Sequence, residues 1–469
     1  MNSNIELIDI TEKTTSSHVQ DLYVSRKKIY VRKITGFYQS IRKYSLSLLL
    51  LMYFSFAWIT IDGQPLILFD LDAKKFTLFG MVFWPQDFTL LAFALIIAAF
   101  GLFFITSLFG RVWCGYSCPQ TAWTFMFLWL EEFFEGSRNQ RIKLDSAPNS
   151  TIKIIKKCAK HASWLVLSLA TGLTFIAYFL PTQELFISVL SLSLDSAMTW
   201  FWVLFFTAAT YINAGWLREQ VCIYMCPYAR FQSVMFNEHT KVVGYDVNRG
   251  EPRGSRSRSS SDKDLGSCID CQMCVQVCPV GIDIRDGLQY ECIGCALCID
   301  ACDSIMEKMN YAKGLIRYAS ETEFNMGSIK SRLDARSIAH GLLLIGSMSI
   351  FSLLMIDRPL AELTAIRDRG ALYYENGLGE IENYYTLKLL NKRDVTETFA
   401  ISVTGIPSLQ LSESVVRVGP GELKIVPVIV TSSPEKLANS TSDISFKIQS
   451  QSNDTMWADA ESKFLSTGG

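Results

Sequence analysis

Six stretches of this chain are long, apolar and free of acidic and basic residues: 45–61, 88–110, 112–130, 161–183, 196–217 and 337–356. With its flanks, each is long enough to cross the hydrocarbon of a bilayer as a helix. One such run alone reads equally well as a buried core helix. Six in one chain predict an α-helical membrane domain. The third run stands apart because it carries Cys114, Cys118 and Pro119. Beyond residue 357 the period changes. Thr398-Phe-Ala-Ile-Ser-Val-Thr and Leu423-Lys-Ile-Val-Pro-Val-Ile-Val alternate between two faces, separated by Gly, Pro and Ser turns. That rhythm predicts an all-β immunoglobulin-like sandwich over 357–469.

Basic residues orient the apolar runs. Arg26, Lys27, Lys28, Arg32, Lys33, Arg42 and Lys43 precede the first run, and Arg138, Arg141, Lys143, Lys153, Lys156, Lys157 and Lys160 precede the fourth. Cytoplasmic loops carry such excesses, so both segments are expected inside, with Arg230, Lys241, Lys330, Arg332 and Arg336. The acidic loops 62–87 and 184–195 are expected outside. These signs agree if 112–130 does not cross. Its second half is then a helix lying at the cytoplasmic interface and ending in Glu131, Glu132 and Glu135. The outcome is about five crossings, amino terminus inside and carboxyl terminus outside, with a full crossing by 112–130 as the alternative. Trp113, Trp123, Trp129 and Trp216 suit an interfacial aromatic belt.

Composition narrows the class. Of 469 residues, 49% are hydrophobic and 12% aromatic, which suits a membrane protein with soluble parts. The net charge of −1 gives no global field for nucleic acid, and the basic run before residue 45 leads straight into an apolar span, so no nucleic-acid partner is expected. The first forty residues hold no apolar h-region, so no cleavable signal peptide is expected. Residues 1–25 are polar and read as a disordered tail.

All 13 cysteines lie between Cys114 and Cys302. Clustering in short motifs points to metal or redox chemistry in a reducing compartment, not to a disulfide framework. Eight of them form two runs in register: Cys268, Cys271, Cys274 and Cys278, followed by Cys292, Cys295, Cys298 and Cys302, each 24 positions after its counterpart. This is the bacterial ferredoxin spacing for two [4Fe–4S] clusters, in which the fourth cysteine of each run ligates the other cluster. Cys268, Cys271, Cys274 and Cys302 are therefore expected to hold one cluster, and Cys278, Cys292, Cys295 and Cys298 the other. Zinc sites or disulfides would also use CxxC, but not two four-cysteine runs in register. Asp303 stands where a proline is expected after the last cysteine, and removes no ligand.

A second repeat lies in the apolar part. Cys114-Gly-Tyr-Ser-Cys118-Pro119 recurs as Cys222-Ile-Tyr-Met-Cys226-Pro227, 108 positions on. On a helix, cysteines four apart share one face, and the proline can start the next helix. Soft thiolates favour Cu(I), zinc or iron–sulfur units. The two pairs could hold one metal between them, with Met225 as a thioether ligand, or cycle between dithiol and disulfide. Arg111 and Arg218 precede the two motifs and could anchor to headgroups or activate the thiols. Cys158 belongs to no motif and reads as structural. His161 and His239 read as solvated or capping residues before they read as ligands.

The chain resembles the CcoG/FixG/RdxA cytochrome oxidase accessory proteins from about residue 30 onward. The likeness rests on the order hairpin–CxxxCP, hairpin–CxxxCP, two-cluster ferredoxin, one more span and a sandwich. The first part is also similar to NapH-type quinol dehydrogenases. The family resemblance implies reduction of Cu(II) to Cu(I) for a cbb3-type cytochrome oxidase, with copper as substrate or transient ligand. Carried onto this chain, Cys114, Cys118, Cys222 and Cys226 become the catalytic and copper-site candidates. A quinol-oxidising electron carrier and a non-catalytic assembly scaffold are the rivals. The expected partners are a cytoplasmic electron donor, copper-handling proteins, oxidase assembly factors and the lipid bilayer, and a homodimer stays open. The expected layout is a cytoplasmic tail (1–40), a membrane domain (41–250), a flexible Ser/Arg-rich linker (251–267), a ferredoxin domain (268–310), a cytoplasmic connector (311–336), a last transmembrane helix (337–356) and a periplasmic sandwich (357–469). The location implied is the bacterial inner membrane.

Overall fold

A computed structural model of the chain describes residues 28–61, 64–191, 197–256, 265–326, 334–393, 395–437, 439–452 and 456–466. The expected disordered tail, the middle of the linker, Lys330 and Arg332 lie outside the described residues.

The apolar runs form helices Phe37–Phe56, Phe88–Phe109, Pro119–Glu135, Thr151–Ala177, Thr182–Leu190 and Ala197–Thr210, with Ala335–Ile356 near the sandwich. Two segments, Pro85–Phe109 and Ala335–Ile356, are long and apolar enough to cross a membrane by length and composition. They pack side by side, with Gly341 against the Phe104 ring. Of the others, Pro119–Glu135, Thr182–Leu190 and Ala197–Thr210 are shorter, at 17, 9 and 14 residues, and charge dilutes the two long ones. Phe37–Phe56 carries Arg42 and Lys43, and Thr151–Ala177 opens with Lys153, Lys156, Lys157 and Lys160.

The third apolar run is not one helix. It breaks at Ser117 and Cys118 into Val112–Tyr116 and Pro119–Glu135. Glu131 and Glu135 at its end do not lie on a surface. Both are fully enclosed, with Glu131 bound to Arg218 at 2.5 Å and Glu135 to Lys157 and Lys160 at 2.9 Å. A buried carboxylate needs such partners, and Arg218 brings one from the second repeat. Trp123 also departs from the expected belt. It donates to Thr171 Oγ1 at 3.0 Å and meets Tyr53 edge-on at 4.9 Å, inside the helix bundle.

The ferredoxin unit is wider than its cysteines suggest. Strand Val242–Tyr245 pairs antiparallel with Ile316–Ala319, Val242 opposite Ala319 and Tyr245 opposite Ile316. The pairing closes the unit from both sides of the cysteine runs, so the segment read as a connector supplies a strand. The described flanks of the linker are also zipped onto it: Gly266 N donates to Pro252 O at 2.9 Å and Gly254 N to Cys268 O at 3.2 Å. Inside, the two cysteine runs repeat in backbone as in spacing. Gln272 and Ala296, at matching positions, take left-handed φ of 56° and 60° and open helices Met273–Val277 and Leu297–Met309.

This unit is bolted to the helices. Asp300, between Cys298 and Cys302, accepts from Tyr38 N at 3.2 Å and Gln39 N at 2.7 Å. It thus caps the Phe37–Phe56 helix, whose own N-cap is Gly36 and carries no side chain. Loss of an N-cap acceptor costs about 1 kcal/mol. Asp300→Ala is therefore expected to lower the detergent-solubilised melting temperature by a few degrees and to expose the 28–36 arm to protease. Unchanged cleavage there would show that the cap does not hold the arm.

Residues 361–465 form two antiparallel sheets. One has the order Gln410–Leu411, Leu423–Ser432, Ile381–Asn391, Ala361–Arg367, with Tyr374–Glu375 on its side, and the other the order Val415–Val418, Glu397–Thr404, Thr441–Ser450, Trp457–Leu465. Their inner faces bury Leu387, Phe399, Val418, Val430 and Phe446, as the period-two pattern predicts.

Candidate functional site: two cysteine cavities and the CxxxCP thiols

The eight ferredoxin cysteines surround two cavities. One is lined by Cys278, Cys292, Cys295 and Cys298. The other is lined by Cys268, Cys271 and Cys302. Cys274 borders both. The helices beginning at Met273 and Leu297 cross, and so bring the last cysteine of each run beside the first three of the other. The chemistry of the donors fits iron–sulfur units. Burial pushes the Cys278 and Cys302 thiols up to about 12 and those of Cys274 and Cys292 up to about 11, with Cys298 well above its ordinary value. Such thiols are neutral at pH 7 unless bound iron compensates the thiolate charge.

The cavities have different walls. Val243, Val280, Ile282, Ile284, Ile293 and Leu297 make the first apolar. The second includes Arg285, held by Asp283 at 2.6 Å and Asp270 at 2.5 Å. Nothing in the local sequence marks Arg285, since its distance from the thiols depends on how the 279–291 loop folds back.

The CxxxCP motifs do not sit on continuous helices, as expected from i, i+4 spacing. In each, the second cysteine leaves the helix and caps the next one in extended conformation, with proline at its first position. In each, its N–H donates to the carbonyl five residues back, Cys118 to Trp113 at 3.0 Å and Cys226 to Val221 at 2.8 Å. The repeat in sequence is thus a repeat in backbone. The two copies converge: Cys114 has Arg111, Cys118 and Cys226 as electrostatic neighbours, and Cys222 has Cys118, Cys114, Arg111 and Cys226. Among the described residues, no three of His, Cys, Asp or Glu stand at the spacing that holds a single metal ion. The thiols are gathered but not preassembled as a one-ion cage. Met225 is exposed beside them.

Arg111 and Arg218 part ways. Arg111 stays with the thiols and donates to Tyr290 O, whereas Arg218 binds Glu131. Cys114 is buried, and its Sγ donates to Gln232 Oε1 at 3.1 Å. Gln232, wholly enclosed, is held by Nε2 donating to Tyr228 Oη at 2.7 Å and Thr106 Oγ1 at 3.1 Å. No motif announces Gln232, and the sequence reading passed over it. Cys158 is exposed. His161 Nδ1 pairs with Tyr211 Oη at 2.9 Å between Trp164 and Trp216. His239 N donates to Asn237 Oδ1 at 3.0 Å.

The two sites share a wall. Cys114 belongs to one apolar cluster with Val277, Val280, Ile293, Cys295, Leu297 and Ala301, against which Cys278 and Tyr228 pack. At Gly115 an added Cβ would lie 2.9 Å from Cys295 Cα and 3.0 Å from Cys295 N and Ile293 O. Tyr116 Oη donates to Cys295 O at 3.2 Å, and buried Arg42 donates to Gly115 O at 3.1 Å.

Known proteins match along most of the chain. It is 37% identical over 428 residues to the nitrogen fixation protein FixG of Rhizobium meliloti, covering 82% of this chain and 81% of that one. The chain belongs to the FixG/RdxA family. Protein RdxA of Cereibacter sphaeroides is 36% identical over 406 residues, covering 84% of this chain and 86% of its own. Family models for a 4Fe-4S dicluster domain and a 4Fe-4S binding domain match residues 217–321 and 91–132, and one for the IG-like fold at the C-terminus of FixG matches 351–467. The crystal structure of a FixG-related protein from Vibrio parahaemolyticus is 29% identical over 23% of this chain and 97% of its own, with a TM-score of 0.21. As a FixG/RdxA-family member, the chain is an iron–sulfur electron-transfer protein with a C-terminal immunoglobulin-like domain. The two iron–sulfur models between them take in both CxxxCP motifs.

Proposed function

We propose that this protein is a membrane-bound cupric reductase serving assembly of a cbb3-type cytochrome oxidase. Cys268, Cys271, Cys274 and Cys302 would hold one [4Fe–4S] cluster, and Cys278, Cys292, Cys295 and Cys298 the other. When bound, these supply one-electron carriers. The observation that carries the reading is the shared wall of Cys114 and Cys295. It puts Cys114 in one apolar cluster with a cysteine that would hold iron. Cys114, Cys118, Cys222 and Cys226 receive copper as substrate, Cu(II) takes one electron, and soft thiolates favour the Cu(I) formed. Arg111 offsets the thiolate charge. The thiols come together as a one-ion site only when copper arrives, which suits a metal that must leave again.

In this reading the helices cross the inner membrane about five times, the amino terminus and ferredoxin unit face the cytoplasm, and the sandwich faces the periplasm. The absence of cysteine from the sandwich suits an oxidising side. Electrons come from a cytoplasmic donor, and Cu(I) passes to copper-handling proteins.

The test is anaerobic mixing of the reduced protein with Cu(II). Absorbance follows cluster oxidation and a Cu(I) chelator reports product. One Cu(I) per electron is expected. Serine at Cys114, Cys118, Cys222 and Cys226 together is expected to cut the rate at least a hundredfold while iron and sulfide content holds, in line with the loss of groups that touch the reacting atom. An unchanged rate in that variant would remove the copper site from these cysteines.

A cavity beside Pro119 favours a second reading. It is an open cleft of about 260 Å³ between Tyr53, Gln120, Trp123, Phe175, Phe206 and Asn213. Aromatic walls with carboxamides suit a quinone ring. Oxidation of the protein's clusters by a quinone but not by Cu(II) would select that reading.

A further inference from the structure

We propose that the ferredoxin unit is polar. A small soluble one-electron carrier protein docks at the edge formed by Asp270, Cys271 and Gln272, and electrons leave at the opposite edge, through Cys295. This rests on the electron-transfer reading of the protein and not on copper.

The accepting edge is singled out by access. Of the eight ferredoxin cysteines, Cys271 is the exposed one. Its neighbours Asp270 and Gln272 are exposed as well. Both hold left-handed φ, 53° and 56°, and Arg285 ties Asp270 back to Asp283. The edge is thus presented on a braced loop, which keeps the reorganisation needed for docking small.

The other cavity is covered on its Cys295 side by the chain itself. The Val112–Tyr116 helix seals it at Cys295, Arg111 donates to Tyr290 O, and Tyr318 donates to Gly294 O. The 28–36 arm covers its flank, with Arg32 N donating to Gln276 O at 2.8 Å and Ile29 lying over Gly281. What touches this cavity is the protein's own thiol motif. Cys274 borders both cavities, so the two edges are joined through one side chain. The balance is simple. One carrier molecule is oxidised by one electron, that electron crosses from the Cys271 side to the Cys295 side, and one acceptor is reduced. No bond forms and no proton is required.

Gln272→Trp in the full-length protein tests this. Its side chain is exposed at the rim of the second cavity, and because the position holds a left-handed φ of 56°, Gln272→Ala, which bears the same backbone cost without the ring, is the control. Photoreduced flavodoxin serves as the carrier and dithionite as a reductant too small to need docking. Reduction by flavodoxin is expected to slow at least tenfold, with the dithionite rate and the iron and sulfide content unchanged. In the wild-type protein, with its clusters reduced in turn, a water-soluble gadolinium chelate is expected to shorten the spin relaxation of one cluster signal and leave the other unaffected. Wild-type speed of the variant with flavodoxin overturns the proposal. So does equal relaxation of both signals, and so does failure of flavodoxin to reduce the wild-type protein. If these results hold but Cu(II) oxidises neither cluster, the copper reading falls and the polarity stands.

Discussion

Gly115→Ala slows oxidation of the reduced protein by Cu(II) severalfold, with iron and sulfide content unchanged. The reason is local and steric. The new methyl would meet Cys295 Cα at 2.9 Å and Cys295 N and Ile293 O at 3.0 Å, all backbone atoms that cannot rotate away. The ferredoxin unit must therefore withdraw from the Val112–Tyr116 helix. The shift is a few tenths of an ångström, and it moves the helix that carries Cys114 away from Cys295. The cluster ligands themselves are untouched. Gly346→Ala is the control, because an added methyl there meets nothing within 4 Å. If Gly115→Ala transfers electrons at the wild-type rate, the Cys114–Cys295 wall is not the route.

Asp87→Ala destabilises the junction between the sandwich and the Phe88–Phe109 helix by about 3 kcal/mol, the low end for breaking a buried pair. Asp87 binds Lys392 at 2.8 Å and Arg358 at 2.7 Å. Lys392 is almost fully enclosed, at 1% side-chain exposure, so the substitution strands a cation that water cannot reach. Its second partner, Glu362 at 2.6 Å, is 29% exposed and compensates only in part. The diagnostic is rescue. Adding Lys392→Met to Asp87→Ala removes the stranded charge and leaves Glu362 free to meet solvent. The double variant is expected to recover more than half of the lost thermal stability in detergent. A double variant as unstable as the single one would mean that the loss comes from packing and not from charge.

Much of this molecule is legible in one dimension. The two cysteine runs announce their chemistry because cluster ligation demands short, fixed spacings along the chain. The CxxxCP repeat announces itself for the same reason, and the sandwich does so through the period of its strands. The places where expectation and structure part are those set by distant neighbours. The strands 242–245 and 316–319 find each other across the whole ferredoxin unit, so neither reads as a strand on its own. Glu131 and Glu135 look like the polar end of a surface helix until Arg218, Lys157 and Lys160 arrive from other helices. Trp123 looks like a belt residue until Thr171 and Tyr53 enclose it. The spacing of Cys114 and Cys118 suggests one helical face, but Pro119 opens a new helix and moves Cys118 to its cap.

The sequence by itself determined the ligand types, their grouping in fours, the repeat and the order of the domains, because each of these is written as local spacing or periodicity. Only the tertiary structure decided which cavity lies against the CxxxCP thiols, which cysteine meets solvent, and that Gln232, Arg285 and Asp300 stand beside the cysteines. Those are facts of approach between segments a hundred or more residues apart, or of how a loop folds back. They follow from packing and charge pairing summed over the whole chain, which no local pattern records.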